Sequence, residues 1–176
     1  MWLISYLSFL TLVSNIVFIF SIVFWKKIVR KIAPYTLELA LIISIASTVG
    51  SLYMSNVVFL APCELCWFQR IFMYPLVIIF LVARVRKIPR IWELALPFSI
   101  FGALIAGYHY ILQLFPKVSE TCGPPAGGFG SCTDIPFKDF GFITIPWMSL
   151  TAFVFITVSM LIRRRVELTK ADNRKS

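Results

Sequence analysis

The sequence is short of charge. Only 14% of its residues are Asp, Glu, Lys or Arg, against roughly 25% in soluble domains, while 59% are hydrophobic. So small a polar complement cannot clothe a water-facing surface around one core, which excludes an ordinary soluble domain and leaves a surface that faces lipid. There is a single histidine, so zinc would find few soft ligands beyond the cysteines. Internal repeats, low-complexity linkers and an appended soluble domain are also lacking. The net charge of +9 does not form a nucleic-acid surface, because the basic residues fall in short clusters between long apolar runs, the distribution of a membrane protein.

What is present is five such runs, each near the roughly 20 residues that a helix needs to cross a bilayer. The first, Leu3 to Trp25, carries no charge. Nothing basic precedes Lys26, so it is expected to be a retained span rather than a cleaved signal peptide. The second covers about Leu39 to Ala61 and contains Ser47, Gly50 and Ser51, small residues that let helices approach closely in lipid. The third covers about Pro62 to Ala83, with Pro62 suited to a first helical position and Pro75 set to kink the helix. The fourth covers about Leu94 to Leu114, with Ala103 and Gly107 on one face, and the fifth about Gly141 to Ile162, with Pro146 near its start.

Basic residues set the orientation. Clusters follow the first, third and fifth runs, so 14 of the 17 Lys and Arg fall on one side, and only Arg70, Lys117 and Lys138 on the other. The N-terminus is therefore expected outside and the C-terminus in the cytoplasm. All four cysteines then lie outside, where disulfides persist. Cys63 and Cys66 fall in the tight turn between runs two and three; Cys122 and Cys132 fall in a loop of about residues 115 to 140 that is rich in Gly and Pro and should be irregular.

A Cys-x-x-Cys pair such as Cys63-Glu64-Leu65-Cys66 can close a small strained ring, and strained disulfides are readily reduced. The alternatives are a structural staple or half of a zinc site, but the nine residues between Cys122 and Cys132 do not give a matching second zinc pair. Cys66 falls in the first turn or two of the third helix, a position that lowers a thiol pKa and favours a Cys66 thiolate. Arg70 follows Cys66 at i+4, on the same face. Either it snorkels to the headgroups, or it stabilises a Cys66 thiolate, a reduced quinone oxygen, or both. The loop pair alone reads as structural, although its Gly/Pro setting argues for attack by an external thiolate. His109, in Gly107-Tyr108-His109-Tyr110, is read first as bonded to a neighbouring helix and second as a donor to a quinone carbonyl. Trp67, Phe68 and Trp147 fit an interfacial aromatic belt.

The stretch Pro62-Cys63-Glu64-Leu65-Cys66-Trp67-Phe68-Gln69-Arg70-Ile71-Phe72-Met73-Tyr74-Pro75, with Gly50-Ser51-Leu52-Tyr53, Tyr108-His109-Tyr110 and Gly141-Phe142-Ile143-Thr144-Ile145-Pro146, resembles the DsbB family of disulfide-forming membrane proteins, and within it the BdbC branch. The resemblance covers about residues 36 to 162. It implies an all-α membrane protein of the bacterial cell membrane: a four-helix transmembrane bundle (32–165) with two outer cysteine pairs. Here one additional N-terminal transmembrane helix (1–31) precedes it and a short tail (166–176) follows. It also implies a membrane quinone, menaquinone or ubiquinone, as electron acceptor, and a DsbA-like thioredoxin-fold thiol oxidase as partner. By position Cys122 resembles the cysteine that forms the mixed disulfide with the partner, and Cys132 its pair-mate. Cys63 resembles the shuttle cysteine, Cys66 the one at the quinone, and Arg70 the arginine beside it.

The expected reaction is a relay from the partner through Cys122–Cys132 and Cys63–Cys66 to quinone. An exporter of cytoplasmic reducing equivalents would want cysteines deep in the helices, and the runs hold none near their centres. A non-enzymatic scaffold stapled by two disulfides and a vitamin-K-epoxide-reductase-like enzyme are the remaining alternatives. The distribution of basic residues makes the topology testable. A reporter fused after Ser176 should read cytoplasmic, one inserted near Gly128 external, and an N-terminal tag external. A cytoplasmic N-terminal tag would remove the first span.

Overall fold

The computed structural model describes residues 32–115 and 143–173, together with Val13, Ile16, Cys132, Ile135 and Lys138. Of the first apolar run only Val13 and Ile16 fall among the described residues, so the additional N-terminal span lies outside them, as does Cys122. Four helices are described: α1 (Thr36–Asn56), α2 (Glu64–Arg86), α3 (Trp92–Leu114) and α4 (Ile145–Asp172). Each is long and apolar enough to cross a membrane. A 3-10 turn, Ala33–Tyr35, leads into α1, and the Thr36 hydroxyl donates back to the Ala33 carbonyl at 2.8 Å.

The helices form a ring in which α1 packs on α2 and α4, α2 on α3, and α3 most extensively on α4. Successive helices run antiparallel; the connections from α1 to α2 and from α2 to α3 are short, and side-chain pairs fix the directions. Glu38 at the start of α1 pairs with Arg84 at the end of α2, and Trp92 at the start of α3 donates to Glu167 late in α4. Tyr110 and Trp147 meet at the other end, ring centroids 5.1 Å apart. The bundle thus has a basic end, with Arg84, Arg86, Lys87, Arg90 and Arg163 to Arg165, and a cysteine end.

The outward faces carry Ile42, Val49, Ile78, Val85, Leu104 and Ile111, all exposed. Helices apolar all round belong in lipid, and a multi-pass membrane protein is the class that four such helices fit. The inward face of α3 is a stripe of small residues, Ala95, Ser99, Gly102 and Ala106, followed at the cysteine end by His109, Leu112 and Gln113. Spacings of three and four keep these on one side of the helix, so the register that packs α3 against α4 also delivers His109 to the interior.

Helix ends differ from the apolar runs. α1 stops at Asn56, before the run's end at Ala61, and the chain turns at Phe59, which has a left-handed φ of 57°. Pro62 is not a first helical residue: Cys63 is the extended N-cap, and Glu64 opens α2. α4 opens at Ile145 and continues past Ile162 to Asp172. Pro75 lies inside α2 as expected, and Pro97 inside α3. The close approach of helices falls at Gly102 rather than Gly107. A Cβ on Gly102 would run into the Phe153 ring, whereas one on Gly107 would meet only Leu150, at 3.9 Å. Gly50 faces open space.

Phe153 is fully buried and cannot swing clear. Gly102→Ala should therefore cost about 1–3 kcal/mol, the usual result of overpacking, and Gly107→Ala should be neutral or slightly stabilising. Unfolding midpoints of the two variants in detergent check this. Equal midpoints would remove Gly102 as the contact point.

Candidate active site

At the cysteine end, Cys63 and Cys66 lie one helical turn apart, their sulfurs 3.1 Å from each other. Both are free thiols; Cys63 is buried and Cys66 half-buried. The position follows from local structure. Cys63 is the last extended residue, its carbonyl already accepts from the Trp67 N–H at 3.1 Å, and Glu64 adds an acidic residue to the first turn, where the helix dipole favours it.

His109 arrives from α3. It is 2% exposed, and both ring nitrogens are engaged. Nε2 lies 3.6 Å from Cys63 Sγ and 3.2 Å from the Cys132 carbonyl oxygen, and Nδ1 lies 3.1 Å from Gln69 Nε2. Cys132 is disulfide-bonded and 1% exposed. One imidazole therefore touches both the helical thiol pair and the backbone of the loop pair. The Cys66 thiol, donating to the Cys63 sulfur, holds Cys63 well below the ordinary thiol range, so the thiolate falls on Cys63 and not, as the helix position alone suggested, on Cys66. His109 adds to this, against burial, which acts the other way.

Cys63, Cys66 and His109 place three potential metal ligands within 4.8 Å. Two thiolates on one tetrahedral zinc stand about 3.8 Å apart. The observed 3.1 Å is shorter than that.

Arg70, one turn after Cys66, makes its hydrogen bonds to α1. Its Nε donates to Ser51 Oγ at 2.9 Å, and Nη2 donates to the Ser51 carbonyl at 3.2 Å and to Ser55 Oγ. The guanidinium also lies over Trp67, 5.4 Å from the ring centroid. It ties α2 to α1 one turn below Cys66. Reasoning from the sequence missed the partners Ser51, Ser55 and Gln69. The i,i+4 spacing of the two serines and the lone amide in an apolar run were the available signals. His109, read first as a helix-to-helix bond, does bond Gln69 of the neighbouring helix, and also sits against the cysteines.

The family described as "Disulfide bond formation protein DsbB" matches residues 34–162, all of α1 to α3 and most of α4. The chain belongs to the DsbB family. Among its relatives, "Disulfide bond formation protein C" of Bacillus subtilis is 40% identical over 119 residues, 68% of this chain and 85% of that protein. "Probable disulfide formation protein C 1" of Bacillus anthracis is 40% identical over 136 residues, 76% of this chain and 94% of the relative. "Probable disulfide formation protein" of Oceanobacillus iheyensis is 39% identical over 149 residues, 83% and 99% respectively. No solved structure matches the chain. As a DsbB-family member the protein is a membrane protein-disulfide oxidoreductase, and the geometry is apt for it: a thiol already poised as a thiolate is the attacking form in thiol–disulfide exchange.

A lowered thiol value keeps the thiolate as pH falls and loses it only when pH drops through that value. The dithiol protein should therefore retain one thiolate's ultraviolet absorbance at about pH 6, where an ordinary thiol is almost wholly protonated. Cys63→Ser should abolish that signal, and Cys66→Ala should shift its loss to higher pH. An ordinary thiol titration in the unsubstituted protein would contradict the assignment.

Proposed function

We propose that the protein reoxidises an extracytoplasmic DsbA-like thioredoxin-fold partner and passes the electrons through two cysteine pairs to a membrane quinone. The observation that carries this reading is the meeting of Cys63 and the Cys132 backbone on one His109 nitrogen. Two cysteine pairs so joined can exchange disulfides after a small motion, whereas two independent staples need no such contact.

In the relay a partner thiolate attacks the Cys122–Cys132 disulfide, forming a mixed disulfide at Cys122. The partner's second thiolate then releases the partner as a disulfide and leaves Cys122 and Cys132 as a dithiol. A thiolate of that pair next attacks the oxidised Cys63–Cys66 pair. The loop disulfide re-forms, and Cys63 and Cys66 receive two electrons and two protons. The free Cys63 and Cys66 thiols together with a disulfide-bonded Cys132 correspond to the step at which the helical pair is loaded and the loop pair is ready for the next partner. Basic residues at the opposite end of the bundle support an outward-facing cysteine end.

The residues fit a quinone. Cys66 is half-buried, and Trp67 and Phe68, which follow it on α2, and Leu52 and Tyr53 on α1 are exposed apolar side chains. Of the five N–H donors of a guanidinium, Ser51 and Ser55 use only those on Nε and Nη2 of Arg70, so Nη1 is left for an acceptor oxygen. When bound, the quinone supplies a two-electron, two-proton acceptor for the Cys63–Cys66 dithiol. A partner of the DsbA type, at roughly −120 mV, needs such a strong oxidant, because structural disulfides below about −300 mV could not regenerate it. His109, with both nitrogens engaged, serves that site through Cys63.

The test is quinone reduction by the purified protein with a reduced thioredoxin-fold partner. One quinone should be consumed per partner disulfide formed. Cys63→Ser and Cys66→Ser should insert normally and lose at least about 99% of turnover, since no other thiol reaches the acceptor. Near-normal turnover in either variant, or no quinone reduction by the unsubstituted protein, would overturn the relay in favour of a stapled scaffold.

A further inference from the structure

Gln69 sits on α2 one turn after Cys66, just after the apolar Trp67 and Phe68 and before Arg70. It is 6% exposed and its amide is aimed inward at His109. Burying an amide among apolar helices is costly unless it is hydrogen-bonded, and its partner here is a ring whose two nitrogens are chemically distinct.

The proton on that ring can be placed from its contacts. A carbonyl oxygen can only accept, so the 3.2 Å contact between His109 Nε2 and the Cys132 carbonyl requires the proton on Nε2. A neutral imidazole has one N–H, so Nδ1 is an acceptor. The group facing Nδ1 at 3.1 Å is the amide nitrogen of Gln69, which can only donate. The two sides of the ring agree, and the opposite amide orientation would set a carbonyl oxygen against the Nδ1 lone pair.

We propose that Gln69 is the positioning residue that fixes the His109 proton on Nε2, so that one N–H serves the Cys132 carbonyl and the Cys63 sulfur in turn. The Cys63 sulfur lies 3.6 Å from that nitrogen. When Cys63 is a thiolate, the N–H has a charged acceptor on one side and a neutral carbonyl on the other, and charge-assisted hydrogen bonds are the stronger ones. The N–H moves toward sulfur and its hold on Cys132 loosens. When Cys63 is in a disulfide, the carbonyl is the better acceptor and the loop pair is drawn against the helical pair. The redox state of the helical pair is thereby felt at the loop pair, docking it for transfer and freeing it afterwards. This rests on the relay proposed above for its purpose, but not for its test.

The chain has one histidine, so labelling histidine with ¹⁵N gives one pair of ring nitrogens without assignment. In the unsubstituted protein the proton should be found on Nε2, with Nδ1 in the range of a hydrogen-bonded acceptor. Gln69→Leu should move Nδ1 to the position of an unbonded acceptor. Gln69→Glu, nearly the same shape, should put a proton on Nδ1, because a carboxylate only accepts. Transfer from the loop dithiol to the Cys63–Cys66 disulfide should slow about tenfold in Gln69→Leu, the equivalent of one hydrogen bond. An unsubstituted protein with its proton on Nδ1 overturns the proposal even if Gln69→Leu fails to fold. A transfer rate unchanged in both variants overturns it as well. A protein that shows the expected ring spectrum but reduces no quinone would instead count against the relay alone.

Discussion

A polar group inside a membrane helix must find its partners within the protein, since the hydrocarbon offers none. Two side chains at the cysteine end of this bundle meet that demand in different directions. Arg70 turns sideways and is held by Ser51 and Ser55 of α1. His109 turns inward and is held by Gln69 of α2. Between them these contacts lock α1 to α2 and α2 to α3 at the level of the thiols, where an apolar interface alone would let the helices slide. The thiol pair thus sits among helices whose relative depth is fixed by hydrogen bonds that are expensive to break in lipid.

The remaining interface, α3 on α4, is fixed by shape. Gly102 gives the Phe153 ring its place, and the Thr157 hydroxyl donates to Ser99 Oγ at 3.0 Å one turn away. Because His109 continues the same small-residue stripe, two turns further along, the packing of α3 and the placement of the imidazole are one geometric choice. A change at Gly102, near the centre of α3, would be transmitted to the histidine by the rotation of a single rigid element.

Much of this was legible in the residues. Four apolar runs gave the four described helices, and the clustered arginines lie at the end of the bundle opposite Cys63-Glu64-Leu65-Cys66. The errors have a common origin. None of the four helices has a side-chain cap at its N-terminus, so the usual start signals were missing and the ends of α1, α2 and α4 were misplaced by several residues. Helices that are apolar on every side also carry no hydrophobic face to read. The inward side of α3 is marked only by small size, and the Ala103 and Gly107 face noted in the sequence is not the one that carries Gly102. Gln69 was overlooked as the partner of His109 because nothing along a chain says that positions 69 and 109 meet.

The length of α4 has a further consequence. At 1.5 Å per residue, its 28 residues extend about 42 Å, more than the roughly 30 Å of hydrocarbon in a bilayer. Its first residue, Ile145, lies at the cysteine end, and the 18 residues to Ile162 already cover about 27 Å. Arg163, Arg164 and Arg165 therefore arrive where the far headgroups begin, and the surplus turns stand in water, with Arg163 bound to Glu167 at 2.9 Å. The helix acts as a ruler. With three arginines at one headgroup layer, a helix of this length sets the thiol pair near the level of the other rather than in the hydrocarbon centre.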